Sequence, residues 1–271
     1  MLNPVTAIRF HKPMGVGKTA PALIFCARDE GGEIELVVKF AAGCEAGVSA
    51  LIRETVAALL AADLDLPAPE PLLVRVDADF VKTIPEADHR YREAKKHAGA
   101  SLGWNFGSKK LPPGFSTIPT DRPIPHALLP VAADILAFDT FIANPDRTVA
   151  NPNCQSNGRE LAIFDHELAF RTEGVIGWKA PWETGGITFP KGQPARVRHV
   201  FVEQLRGSGC DFNRLAGAFD VVTEARLNEY RAALPNEWLG DCEAANSILD
   251  YLTALRQNID AAVKNLSEAL L

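Results

Sequence analysis

The chain has 271 residues, 47% of them hydrophobic and 23% charged, which is enough apolar material to bury a core and excludes a disordered or collagen-like chain. The length fits one large or two small domains better than a single short binding module. A formal net charge of −6 disfavours non-specific attraction to nucleic-acid phosphates or an anionic membrane surface.

Val5 to Phe10, Ala22 to Ala27 and Ile34 to Phe40 read as short strands. The first two flank a loop with Gly15, Gly17 and Pro21, and Gly31-Gly32 makes the next hairpin turn. From Glu45 to Ala62, apolar residues return at three- and four-residue intervals and predict a helix, which Leu66-Pro67-Ala68-Pro69 stops. Two further strands, Pro71 to Val76 and Asp79 to Ile84, complete a five-strand, one-helix N-terminal lobe over residues 1–84. Residues 85–125, rich in Gly, Pro and charge and containing Leu102-Gly103-Trp104-Asn105-Phe106-Gly107, read as a hinge and irregular connection.

Residues 126–271 predict a larger, mainly helical lobe. It opens with a helix from His126 to Ile142, followed by the polar loop Asn144 to Asn153, a hairpin-like segment and the strand Leu161 to Phe164, ending at Asp165. Ile248, Leu252, Leu255, Ile259, Ala262, Leu266 and Leu270 form one stripe of a last helix, capped by Asn246 or Ser247. That stripe suits covering the larger lobe better than a coiled-coil partner. The whole reads as an α+β fold.

Three groups of residues point to phosphate chemistry. Gly17-Lys18-Thr19 resembles the end of a P-loop, but the first glycine of that motif would fall on Lys12, so a Walker loop is excluded. A glycine-containing hairpin with Gly15, Gly17, Lys18 and Thr19 can still cover phosphates, because small residues let backbone N–H groups approach an anion. Lys39, at the end of the strand LVVKF, gains meaning from Glu54 in the following helix, a carboxylate able to hold its ammonium against phosphates. The third group is the sharpest: Asp146 with Asn151 five residues on, then Asp165 closing an apolar strand. Phosphoryl transfer needs a carboxylate at the acceptor hydroxyl and oxygen ligands for Mg²⁺, and this order and spacing match a kinase catalytic loop and its metal-binding aspartate. Taken singly, each of these residues could serve only its own turn.

Other chemistries find less support. The six histidines show no H-x-x-H or H-E-x-x-H spacing; His166 adjoins Asp165 and could orient it or contact solvent near Mg²⁺, or equally be a satisfied structural histidine. No G-x-S-x-G elbow is present. The five cysteines are scattered without a C-x-x-C pair and read as reduced thiols. With no signal-like N-terminus and no membrane-length apolar run, the expectation is a cytoplasmic protein without a membrane partner. Trp178 and Trp182, in GWKAPWETGG, are most simply core or lobe-interface residues, although they lie where a kinase places its acceptor-facing segment.

The glycine-containing hairpin with Pro21, VVKF, the Glu54 helix before LPAPEP, FGSKKL, FDTFIANPDRTVANPN, IFDHELAF and LPNEW together resemble the HipA-like kinases, above all the short HipA-like kinase domain. The phosphatidylinositol kinases are more distantly similar. The resemblance spans most of the first 170 residues, counted from the quoted motifs. It implies a bilobal protein-kinase-like fold binding ATP and Mg²⁺ in the cleft between lobes. On it, Asp146 is the catalytic aspartate, Asn151 and Asp165 are metal ligands, Lys39 is the phosphate contact with Glu54 its partner, and Gly15, Gly17, Lys18 and Thr19 lie over the phosphates. Two departures stand out: Thr148 replaces a histidine that many relatives carry, and Glu167 stands where a protein kinase has the glycine of D-F-G.

The full-length toxins of the family carry a further N-terminal subdomain. This chain starts almost at the hairpin, so their antitoxin, operator DNA and tRNA-synthetase partners are not expected, and nucleic acid is not predicted. The implied activity is transfer of the γ-phosphate of ATP to a hydroxyl of a protein or small molecule. The alternatives are a nucleotide-binding pseudokinase or scaffold, and nucleotidyl transfer.

Overall fold

Alternation with period two organises the first part of the chain. In β1 (Pro4–Pro13), β2 (Ala22–Arg28) and β3 (Glu33–Lys39), Val5, Ala7, Ile24, Cys26, Ile34, Leu36 and Val38 belong to one buried cluster. Antiparallel pairing sets Ile24 of β2 beside Phe10 on one side and Leu36 on the other. β4 (Pro71–Val76) runs parallel to β1, and β5 (Gly103–Lys109) lies antiparallel between β3 and β4. The order β1-β2-β3-β5-β4 therefore closes into a barrel, which leaves no unpaired edge. The structure is a computed structural model and describes residues 2–15, 19–172, 175–240 and 243–271.

The barrel has five strands, but the fifth is not the one expected from sequence. Asp79 to Ile84 contains a helix, α2 (Ala78–Lys82), because the Asp77 carboxylate accepts the Phe80 N–H at 2.7 Å and caps a turn that buries the Phe80 ring. β5 comes instead from the stretch expected to be an irregular connection, which also holds α3 (His89–Gly99), capped by Asp88. With α1 (Val48–Asp63), the N-terminal part thus carries three helices where one was expected. The glycines and asparagine that disguise β5 have structural uses. A Cβ on Gly107 would lie 2.6 Å from Val74 Cγ2 and 3.3 Å from Leu36 Cδ1, so only glycine lets the strand pass there. Asn105 is buried, donating to the Ser101 carbonyl at 2.7 Å and accepting from the Ala41 N–H at 3.1 Å.

The chain divides into two compact units, one of Met1–Val56, Pro69–Leu111 and Glu229–Ala245, the other of Ala57–Ala68, Pro112–Asn228 and Asn246–Leu271. The second is built around α4 (Leu129–Phe141), buried on nearly every side, as an apolar helix must be. Its two buried carboxylates are both paired with arginines, Asp134 with Arg214 and Asp139 with Arg147, as buried charge requires. A small antiparallel sheet of β6 (Ser116–Thr117), β7 (Cys154–Ser156) and β8 (Leu161–Ile163) lies in the same unit. Short helices follow: α5 (Val202–Leu205), α6 (Asn213–Ala218), α7 (Glu224–Ala233) and α8 (Asn236–Leu239). The expected last helix is two, α9 (Ala244–Gln257) and α10 (Ile259–Ala269). Asn258 breaks it by leaving helical backbone geometry while its amide donates to the Ala254 carbonyl at 2.8 Å. The predicted apolar stripe survives the break, with Ile248, Leu252, Leu255, Ala262, Leu266 and Leu270 all buried. Among the described residues no helix is long and apolar enough to cross a membrane.

Gly107→Ala should lower unfolding stability by about 1–3 kcal/mol, the usual penalty for overpacking a filled core. Chemical denaturation checks this, and an unchanged midpoint would show that the barrel relaxes around the added methyl.

Candidate functional site

In the first unit, Val38 and Phe40 are buried among the barrel core residues, so alternation turns Lys39 to the opposite face of β3. It is only 7% exposed. Its ammonium lies 2.8 Å from Glu54 Oε2, itself 3% exposed, on α1. The chain just beyond Lys39 is pinned, since the Ala41 and Ala42 N–H groups donate to Asn105 Oδ1 and Ser101 Oγ. In the hairpin between β1 and β2, Gly15 has left-handed backbone (φ +65°) and the Met14 N–H donates to the Pro21 carbonyl at 2.7 Å. The Thr19 carbonyl approaches Gly43 so closely that a Cβ there would lie 2.6 Å away. Gly17 and Lys18 lie outside the described residues.

In the second unit, the loop 144–153 hangs on one buried ion pair. Arg147 and Asp139 are 0% and 1% exposed. Arg147 Nε donates to Asp139 Oδ2 at 2.5 Å and Nη2 to Oδ1 at 3.2 Å. Nη1 donates to the carbonyls of Asn153 and Phe164, and Nη2 also to His166 Nε2 at 2.9 Å. Asp139 further accepts from Asn144 Nδ2 at 2.7 Å and His199 Nε2 at 3.1 Å. Burial by itself raises the Asp139 pKa, but the Arg147 charge and these bonds overcome it and hold the carboxyl well below the usual carboxylate range. His199 goes the other way: its burial outweighs the Asp139 carboxylate and lowers its pKa. On its far side the loop is laced to residues 195–200, with the Val149 N–H on the Arg198 carbonyl and the Val200 N–H on that of Arg147.

Asp146 is held within this frame. Its N–H donates to Asn144 Oδ1, and its Oδ2 accepts from Asn151 Nδ2 at 2.9 Å and Asn153 Nδ2 at 2.8 Å. A carboxylate only accepts, so the Asn151 amide must present its nitrogen to Asp146 and turn its oxygen away. Asp165, two residues past β8, has left-handed backbone (φ +66°), and its predecessor is bound on both sides, the Phe164 N–H to the Asn153 carbonyl and the Phe164 carbonyl to Arg147. Of the six described non-glycine residues with such backbone, Ala143, Asn153, Asp165 and Phe170 flank these loops. Strain of this kind persists only where the surroundings over-determine it.

An amide oxygen such as that of Asn151 and a carboxylate such as that of Asp165 are the oxygen donors Mg²⁺ takes, commonly one or two from the protein with phosphate and water completing the shell. Among the described residues no cluster of three or more His, Cys, Asp or Glu could hold a metal by itself. Cys26, Cys44 and Cys154 are buried, and burial pushes Cys26 up to about 12 and Cys154 to about 11, which makes these thiols poor nucleophiles. Asp139, Asn144, Arg147, Asn153 and His199 belong to no sequence motif that marks a chemical role for them. The signal for Asp139 was a carboxylate inside the apolar run ILAFDTFI, which is tolerable only if paired.

Arg147→Ala should destabilise the fold by about 3–5 kcal/mol, because it strands a buried carboxylate; denaturant titration checks this. His199 also gives the fold a pH dependence. Its folded pKa lies below the ordinary 6.5, so as pH falls past that value the unfolded ring binds protons first and stability drops. His199→Gln, which keeps a donor for Asp139, should flatten that slope. The Asp139 contribution is lost only as pH falls below about 3.8.

A sequence profile described as HipA-like kinase matches residues 8–177. No curated protein sequence matches the chain. The solved structure titled as a Helicobacter pylori proinflammatory kinase, CtkA, is similar with a TM-score of 0.54 at 14% identity, covering 96% of this chain and 95% of that one. At that identity the likeness speaks for the fold alone: a β-rich N-terminal part followed by a helical C-terminal part. Because the profile spans more than half of the chain and includes both the Lys39–Glu54 pair and the loops carrying Asp146 and Asp165, the protein belongs to the HipA-like kinase family and is a kinase-type phosphotransferase.

Proposed function

We propose that the protein transfers the γ-phosphate of ATP to a hydroxyl group in a Mg²⁺-dependent reaction. The observation that carries this reading is the Arg147-centred frame, which ties the loop of Asp146 and Asn151 to the strand end before Asp165 through a single guanidinium. Bound Mg²⁺ would offset the charge of the phosphate oxygens. Asn151 and Asp165 are the residues assigned to hold it. Lys39, held by its ion pair with Glu54, is assigned to the phosphates, and the glycine-containing hairpin of Gly15 and Thr19 is assigned to them as well. Asp146 orients the acceptor hydroxyl and takes its proton. The hydroxyl oxygen then bonds to the γ-phosphorus while the bond to the β–γ bridging oxygen breaks, and ADP leaves with that electron pair.

Thr148, where many relatives have histidine, closes the loop locally: its Oγ1 accepts the Asn151 N–H at 3.1 Å and its own N–H donates to the Asn151 carbonyl at 2.9 Å. The substitution therefore has a structural use and leaves the Asp146–Asn151 contact in place.

Asp146→Asn should reduce transfer of γ-labelled phosphate by about 10²–10⁴-fold, the usual contribution of a positioned acid or base, while Mg-ATP still binds. Asp165→Ala should remove the Mg²⁺-dependent part of ATP binding, read calorimetrically with Mg²⁺ and with chelator. ATP bound without any transfer by the wild type would identify a pseudokinase, and label entering from the α-phosphate a nucleotidyl transferase.

A further inference from the structure

The second unit holds a cavity of about 390 Å³ whose wall includes Asn144 and Pro145, the two residues before Asp146. A molecule in it lies alongside the backbone that carries the assigned acceptor carboxylate. The rest of the wall comes largely from residues 171–197.

Among the described residues the charge of this wall is one-sided. Asp139 reaches it, but the acceptor positions of that carboxylate are taken by Arg147, Asn144 and His199. The remaining charged wall residues are Arg171 and Lys179, with no further carboxylate among the described ones. Both are exposed. Lys179 spends one of its three N–H groups on the Thr184 carbonyl at 3.1 Å, which fixes the ammonium at the rim. Arg171 has no hydrogen bond or ion pair to any described residue.

The rim is also apolar. Val175, Trp178 and Val197 line the cavity while 52%, 36% and 53% exposed, and Ile176 is fully exposed next in the chain. Trp178 packs against Tyr251, with ring centroids 6.1 Å apart, and the Tyr251 hydroxyl is anchored on the Phe141 carbonyl at 2.6 Å. The adjoining turn is equally tight, since a Cβ on Gly186 would lie 1.9 Å from the Ala180 carbonyl oxygen. A small polar metabolite has no use for exposed valines and a tryptophan around a cationic pocket. A peptide with an acidic side chain and an apolar neighbour uses both.

We propose that this cavity is the acceptor subsite, and that it takes a serine- or threonine-containing peptide segment with an acidic residue close to the hydroxyl and an apolar residue beyond it. The acceptor role rests on the phosphotransferase reading above. In the transfer, the serine or threonine oxygen bonds to the γ-phosphorus of ATP, its proton passes to Asp146, and ADP departs with the electrons of the broken bridging bond.

The test uses the full chain and two synthetic serine peptides of equal length, with glutamates in one replaced by lysines in the other and the apolar residue kept. Binding is read by Trp fluorescence and calorimetry, phosphorylation with γ-labelled ATP, and ATP affinity in parallel. The wild type should favour the acidic peptide by at least about tenfold, and Arg171→Glu with Lys179→Glu should reverse the preference, a gain for the lysine peptide that a misfolded variant cannot produce. Equal binding of the two peptides, or a preference that survives charge reversal, would overturn the proposal. ATP binding without any peptide binding would also overturn it, the more so if inorganic phosphate alone shifts the Trp signal, and would leave the phosphotransferase reading standing. Acidic-peptide binding by a protein that does not bind ATP would overturn that reading, and the acceptor role with it.

Discussion

The second unit depends on a guanidinium taken wholly out of water. Arg147 has five N–H donors, and all five are placed: two on the Asp139 carboxylate, one each on the carbonyls of Asn153 and Phe164, and one on His166 Nε2. Burying a charge is expensive unless it is paired and every donor is satisfied, and this arrangement meets both conditions with parts drawn from α4, the loop and both ends of the β7–β8 hairpin. A lysine could supply the charge but not the fork that joins three chain segments at fixed angles. The argument extends to Asp139, whose two oxygens accept four bonds, so neither partner has an alternative arrangement of comparable quality.

That rigidity explains how left-handed backbone survives at Ala143, Asn153, Asp165 and Phe170. Each such residue costs on the order of 1–3 kcal/mol, and an isolated loop would relax it away. Here Asn153 is tied by its carbonyl to Arg147 and by its amide to Asp146, and the Phe170 N–H is held by the Ile142 carbonyl at 2.7 Å. The left-handed backbone at Asp165 turns the chain away from the line of β8, so the strand does not run on past Phe164.

The candidate site was legible in the sequence where chemistry depends on spacing along one loop. Asp146, Asn151 and Asp165 are close enough in sequence for residue type and interval to point to them. Lys39 and Glu54 were legible because a strand and the following helix have few ways to meet. Asp139 and His199 were not, since they join the loop from α4 and from residues 195–200, and nothing local marks a carboxylate or an imidazole as a tertiary partner. The barrel shows the same boundary. β1 to β4 follow from alternation, whereas β5 reads as a loop because Gly107 and Asn105 answer to neighbours on other strands. Conversely, alternation misread Asp79 to Ile84, where a single cap at Asp77 favours a helical turn over a strand.

The Arg147–Asp139 pair also connects the two chemical tasks proposed for the second unit. One face of it fixes the loop that presents Asp146. The other forms, with His199, part of the wall of the proposed acceptor cavity. Because the carboxylate of Asp139 is neutralised within the pair, the cavity keeps the positive sign set by Arg171 and Lys179; were Arg147 neutral, a buried carboxylate would face the incoming anionic side chain and repel it. Loop geometry and the proposed acceptor charge preference therefore trace to one interaction, and any change that loosens it disturbs both together.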